Sequence, residues 1–200
     1  MQVDGKQGRQ SLASGQPGPL RLDASGNLVV SAYGGKYADA ALAGRLFSVA
    51  NQAKVAVTAN LATTWTGLGI ANPTGSGKNI ILHEFGWSSD IVNPAEGVVG
   101  LMTTTDSGFA AALTARSGFF GTGTSVAYCD DAATIATPVL ERVCGSTAEG
   151  AITTAMQLPV NIYQINGSLV LAPGRAVCTY HSIGGTASIT FHFMWEEVDA

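Results

Sequence analysis

The strongest constraint on the fold of this chain is a succession of short runs rich in Val, Ile, Thr and aromatic residues, each closed by Gly, Pro, Asn or Asp. They read "LFSVANQAKVAVTA", "TTWTGLGIA", "NIILHEFGW", "EGVVGLMTT", "TSVAYC", "ATIATPVLERV", "TAMQLPVNIYQI", "SLVLAP", "RAVCTYHSI" and "ASITFHFMWEEV". β-Branched and aromatic side chains fit a pleated, half-buried surface, and the residues between them reverse the chain. Many short strands at regular spacing with almost no helix specify a β-sandwich or barrel. No period of 20 to 50 residues is present, which excludes a solenoid or propeller. The expected fold is all-β: a jelly-roll-like antiparallel sandwich over residues 37–200, with one short helix and an extended N-terminal arm, residues 1–36.

The arm is rich in Gly, Gln and Ser, and Pro17 and Pro19 break any helix there. Only Asn27–Val30, "NLVV", has strand character. Fully extended, its 35 or so residues reach on the order of 110 Å at about 3.3 Å each, enough to cross a neighbouring subunit. The one helix is expected from Tyr37 to Ala43 in "KYADAALAGRLF", where Gly44 supplies the stop.

The two hundred residues, 20.4 kDa, allow one ordinary domain with a real core. The chain is 46% hydrophobic and only 12% charged, with 25 glycines, a composition suited to burial against neighbours. A net charge of −4 provides no basic footprint, so neither nucleic acid nor an anionic membrane surface is an expected partner. The first twenty residues lack the basic start and apolar stretch of a secretory signal, and no run of about 18 apolar residues occurs, so a protein made and kept in a cytoplasm is expected. Cys129, Cys144 and Cys178 are odd in number and widely spaced, which favours three reduced, mostly buried thiols over a disulfide framework or zinc knuckle.

Near the C-terminus, Gly184-Gly185 suggests a two-residue hairpin turn. In that register Tyr180, Cys178 and Ala176 oppose Ile189, Phe191 and Phe193 on a core face that Trp195 extends, and His181 opposes Ser188 on a polar one. Pro173-Gly174 forms a corner before the first of these strands.

The stretch "NPTGSGKN", Asn72–Asn79, superficially matches a phosphate-binding loop. Such a loop needs a leading Gly, a hydroxyl after the Lys, and a helix whose N-terminus faces the phosphate. Here Asn72 and Asn79 occupy the two diagnostic positions and a β-rich run follows, so a Gly-Ser-Gly strand connection with an exposed Lys78 is expected. No G-x-S-x-G elbow is present, and the serines of "TDSGFA" and "ARSGFF" have no adjacent base. His181 and His192 stand roughly 13 Å apart in the hairpin register at about 3.4 Å per residue, too far to share an ion. His83 points away from its neighbour Glu84 and is left a lone structural histidine. Asp130-Asp131 follows a strand and reads as a turn; two carboxylates fall short of the six or more oxygens of a calcium site. Trp65, Trp87, Tyr163 and Tyr180 lie on β elements, where burial in the core is commoner than a sugar-binding platform. No catalytic, cofactor-binding or metal-ligating residue is assigned, and an enzyme is not expected.

In order, "LDASGNLVVSAYGGKYADAALAGRLFSVAN", "LATTWTGLGIANPTGSGKNIILHEFGW", "GLMTTTDSG", "ATPVLERV", "LAPGRAVCTY" and "FHFMWEEV" resemble small virion structural proteins of tailed bacteriophages, over about residues 20–198. The resemblance implies a jelly-roll capsid cement or decoration protein, assembled in the host cytoplasm and resident in the virion. It further implies a homotrimer that stabilises the phage head by binding the major capsid protein, with the arm gripping neighbouring subunits. The alternative is a head or tail fibre module recognising a glycan through Trp65, Trp87 or Asp130-Asp131.

Overall fold

The computed structural model describes residues 35–89, 97–147, 160–185 and 189–200. The expected strand at Asn27–Val30, and the expected arm up to residue 34, lie outside them. The chain divides into two compact units, Met1–Asp39 and Ala40–Ala200, and among the described residues every strand belongs to the second.

The expected helix is one short stretch, α1 (Ala38–Leu42). Gly44 ends it with φ +69°. Its N–H donates to the Ala41 carbonyl and that of Arg45 to the Ala40 carbonyl, both at 2.9 Å. This is a Schellman cap, which needs the left-handed conformation that glycine adopts without a Cβ penalty.

Among the described residues ten strands follow: β1 (Leu46–Ala50), β2 (Thr64–Asn72), β3 (Lys78–Ser89), β4 (Val98–Thr105), β5 (Arg116–Ser117), β6 (Tyr128–Thr134), β7 (Val139–Ser146), β8 (Asn161–Leu171), β9 (Arg175–His181) and β10 (Ile189–Asp199). They form two five-stranded sheets, ordered β5-β1-β10-β3-β8 and β6-β2-β9-β4-β7, with all neighbours antiparallel. Setting aside β5 and β6, the remaining eight strands give β1-β10-β3-β8 facing β2-β9-β4-β7, so the chain changes sheet at every step but one, β4 to β7, which pair within the second sheet. This is the order of a jelly roll, two Greek keys wrapped into a sandwich. β5 and β6 are an insertion that extends each sheet at the same side, next to β1 and β2.

The sandwich interior is apolar on both sides. Phe47, Ile80, Leu82, Phe85, Trp87, Phe191, Phe193 and Trp195 of the first sheet pack towards Leu68, Ile70, Val99, Leu101, Cys129 and Val177 of the second. Phe85 is the hub, with ring centroids 5.4 Å from Trp87, 6.0 Å from Phe191 and 5.0 Å from Phe193. Each such side chain contributes about 1.5–3 kcal/mol by leaving water. A second cluster covers the outer face of the second sheet: Trp65, Met102, Phe109, Ile135, Ala176 and Cys178. Phe109 comes from the segment between β4 and β5 and lies 6.3 Å from Trp65.

Three expectations change. β9 pairs with β2 and β4, whereas β10 pairs with β1 and β3, so the two are not a hairpin. Ala176 and Cys178 face the second cluster, and Phe191 and Phe193 the sandwich core. Asp130 and Asp131 are within β6, not in a turn. "TAMQLPVNIYQI" and "SLVLAP" contribute to one strand, β8, interrupted where Asn166 and Gly167 take φ +53° and +76°.

Candidate interaction surface

The "NPTGSGKN" stretch crosses between sheets at one end of the sandwich. Asn72 is fully buried, and its amide donates to the carbonyls of Lys78 (2.7 Å) and Leu171 (2.8 Å). Ser76 Oγ donates to Asn72 Oδ1 at 2.6 Å, and Thr74 is tied through its N–H and hydroxyl to Asp106 Oδ2 at 2.8 and 3.0 Å. Gly75 and Gly77, φ +80° and +69°, supply the left-handed positions. The chain then enters β3 rather than a helix. Lys78 Nζ meets Asp199 Oδ1 at 2.6 Å, so its partner is a carboxylate of its own chain; that hydrogen bond and charge hold Asp199 below the usual carboxylate range.

The outer face of the first sheet carries a polar network. One extra residue in β3, His83, falls between the pairs Glu84–Met194 and Leu82–Trp195. This bulge brings both His83 and Glu84 into the outer network, which corrects the expectation of a lone histidine. His83 Nε2 lies 3.5 Å from Glu196 Oε2, whose other oxygen is 3.1 Å from Arg45. His192 Nε2 lies 3.0 Å from Glu84 Oε1, and Gln164 donates to Glu84 Oε2 at 2.7 Å. Gly86 makes room for the ring, since a Cβ there would stand 1.9 Å from His192 Cε1. His181 belongs to the other sheet and is buried; its Nδ1 bonds the Ile183 carbonyl and its Nε2 lies 3.1 Å from Thr147 Oγ1. Burial pushes its pKa below the ordinary imidazole value, against the opposing effect of the Ile183 bond. Among the described residues no three His, Cys, Asp or Glu side chains converge as a metal site would require.

The buried carboxylates act as clamps on the insertion. Asp130 accepts from the N–H groups of Ala110 (2.9 Å) and Ala132 (3.2 Å). Glu197, also buried, accepts from Ser125 Oγ, from the Val126 N–H at 3.2 Å, and from Trp195 Nε1 at 3.1 Å. Sequence reading missed Glu197 because a charged residue near a strand end looks solvated; its alternation with Trp195 and Phe193 in "FHFMWEEV" was the available signal. All three cysteines are free. Burial, reinforced by the Glu197 and Asp130 charges, pushes Cys129 up to about 12. Burial raises Cys144 to about 11 against the pull of Arg142, and raises Cys178 as well. Trp65 and Trp87 are core residues, and Tyr163 and Tyr180 pack half-buried against the two clusters, so these aromatics form no open platform.

One side of the sandwich exposes apolar side chains. β7 and β8 are the edge strands on one side of the two sheets, joined by Arg142, which donates to Ser168 Oγ and O at 2.8 Å each. Val139 and Val143 (each 59% exposed), Ile162 (53%) and Val170 (50%) project from these strands. Two register shifts in the β4–β7 ladder leave Glu141 and Cys144 unpaired with β4, and the Asn166-Gly167 kink interrupts β8. Bulges and kinks of this sort discourage addition of another strand, while leaving the side chains available for packing. No protein family, curated protein or solved structure matches the chain.

Proposed function

We propose that this chain is a virion structural protein, a capsid cement or decoration protein that binds the major capsid shell of a phage head. The observation that carries the reading is the apolar side formed by β7 and β8, where Val139, Val143, Ile162 and Val170 stand half or more exposed on a domain with few charges. Together such side chains expose on the order of 400 Å², divided between the two edge strands. A standard interface takes about 800 Å² per partner, so the surrounding loops and the N-terminal arm, residues 1–36, complete the contact in this reading. A homotrimer on a local threefold of the shell places three such sides around one axis. The resemblance of the segment order to phage virion proteins supports the same reading.

The test is co-sedimentation of the purified full chain with empty phage heads, followed by counting copies per particle. Saturable binding at hundreds of copies is expected, lost in the Val139→Asp/Val143→Asp variant. Failure to bind heads, or undiminished binding by that variant, defeats the proposal.

A further inference from the structure

The face of β4 that meets the other sheet changes chemistry along its length. Strand alternation continues the face of Val99 and Leu101, both fully buried in the core, into Thr103 and Thr105. Where the threonines begin, the sheets no longer close, and an open cleft of about 390 Å³ lies between β4 and β8. That volume falls within the range of about 300–1,000 Å³ typical of small-ligand sites.

The lining is mixed in a definite way. Thr103, Thr105 and Thr137 border the cleft with Arg175, while Val139 and Leu169 supply aliphatic walls. Among the described residues, neither those three hydroxyls nor the Arg175 guanidinium makes a hydrogen bond or ion pair. Asp106, the carboxylate that follows Thr105, is instead engaged by Thr74. The rim is strained: Thr137 has φ +39°, a left-handed conformation that a β-branched residue rarely adopts. It is held there while the Thr104 hydroxyl donates to the neighbouring Ala136 carbonyl. Strained backbone of this kind collects at ligand clamps.

From this convergence we infer that the cleft binds a small polyhydroxylated carboxylate, a hexuronic acid unit being the representative ligand. The guanidinium fork matches a carboxylate with two parallel N–H···O bonds. Threonine hydroxyls both donate and accept, which complements the hydroxyls of a polyol. Val139 and Leu169 pack against the C–H face of the ring. The cleft shares Val139 with the side proposed for shell binding, but its polar lining of Thr103, Thr105 and Arg175 has no part in that reading, so Arg175→Gln separates the two.

The test is an amide NMR titration of the full chain with D-glucuronate, D-glucose and cyclohexanecarboxylate in parallel. Glucuronate is expected to shift Thr103–Thr105 and Val170 saturably, with a Kd on the order of 1 mM. Removing the charged donor in Arg175→Gln weakens it at least about tenfold, since hydrogen bonds to charged groups are the stronger class. Glucose and cyclohexanecarboxylate, each lacking one half of the recognised chemistry, bind at least about tenfold more weakly. Val139→Trp, at an exposed position, obstructs the cleft without touching the core and abolishes the shifts. Absence of saturable shifts with glucuronate, or unchanged affinity in Arg175→Gln, overturns the inference. Equal binding of cyclohexanecarboxylate overturns the polyol assignment, and equal binding of glucose overturns the role of Arg175.

Discussion

Glu197→Ala tests whether one buried carboxylate fastens the insertion to the first sheet. Removing the side chain strands three donors: Trp195 Nε1, the Val126 N–H and the Ser125 hydroxyl. Trp195 is fully buried, so its N–H finds no water, and an unsatisfied buried donor costs about 1–3 kcal/mol. Ser125 and Val126 are half-buried, where water replaces part of what is lost, at about 0.5–1 kcal/mol each. The sum is about 2–5 kcal/mol, or roughly 4–20 °C in Tm for a domain of this size. Glu197→Gln keeps one acceptor oxygen and is expected to lose about 1–2 kcal/mol, because its amide faces the Val126 donor. Urea unfolding followed by tryptophan fluorescence reads both, since Trp65, Trp87 and Trp195 are all buried in the native state. A loss below about 1 kcal/mol for Glu197→Ala, or equal losses for the two variants, would refute the clamp.

Further outcomes follow from the histidines and thiols. Because burial lowers the folded-state pKa of His181, the unfolded chain takes up a proton first on acidification. Stability is therefore complete above about pH 6.5 and falls as pH drops from there towards the depressed folded value; urea midpoints across that range show the slope, and His181→Gln flattens it. Gly86→Ala forces a methyl group to within 1.9 Å of the His192 ring and is expected to cost about 1–3 kcal/mol. The cost shrinks in a His192→Ala background, a coupling that a double-mutant cycle measures. In native protein a thiol reagent modifies half-buried Cys144 before Cys129 or Cys178, and the latter two react only on unfolding.

Strand content was legible because Val, Ile, Thr and aromatic runs are punctuated by turn residues, and the short helix because Gly44 marks its cap. Pairing was less so. "RAVCTYH" and "ITFHFMW" present small residues opposite large ones, a pattern that suits two strands in one ladder and equally two strands in facing sheets. The Gly-Gly signal favoured the ladder, whereas the chain changes sheet between β9 and β10. His83 was misplaced because a single bulge reverses the parity of every residue beyond it, and sequence alternation carries no mark of the bulge. The cleft was invisible for a related reason: Thr103, Thr105 and Thr137 are unremarkable strand and loop residues until β8 and β9 bring Leu169 and Arg175 beside them.

The position of β10 bears on how the molecule forms. It occupies the middle of its sheet, between β1 and β3, and supplies Phe191, Phe193 and Trp195 to the core. During synthesis the facing edges of β1 and β3 therefore stay unpaired until β10 has left the ribosome. Pairings between such distant segments are slow and expose the chain to aggregation on the way. Truncation anywhere after β9 is expected to yield an insoluble product rather than a smaller domain, and a ribosome-stalled chain lacking β10 should be protease-sensitive throughout the first sheet.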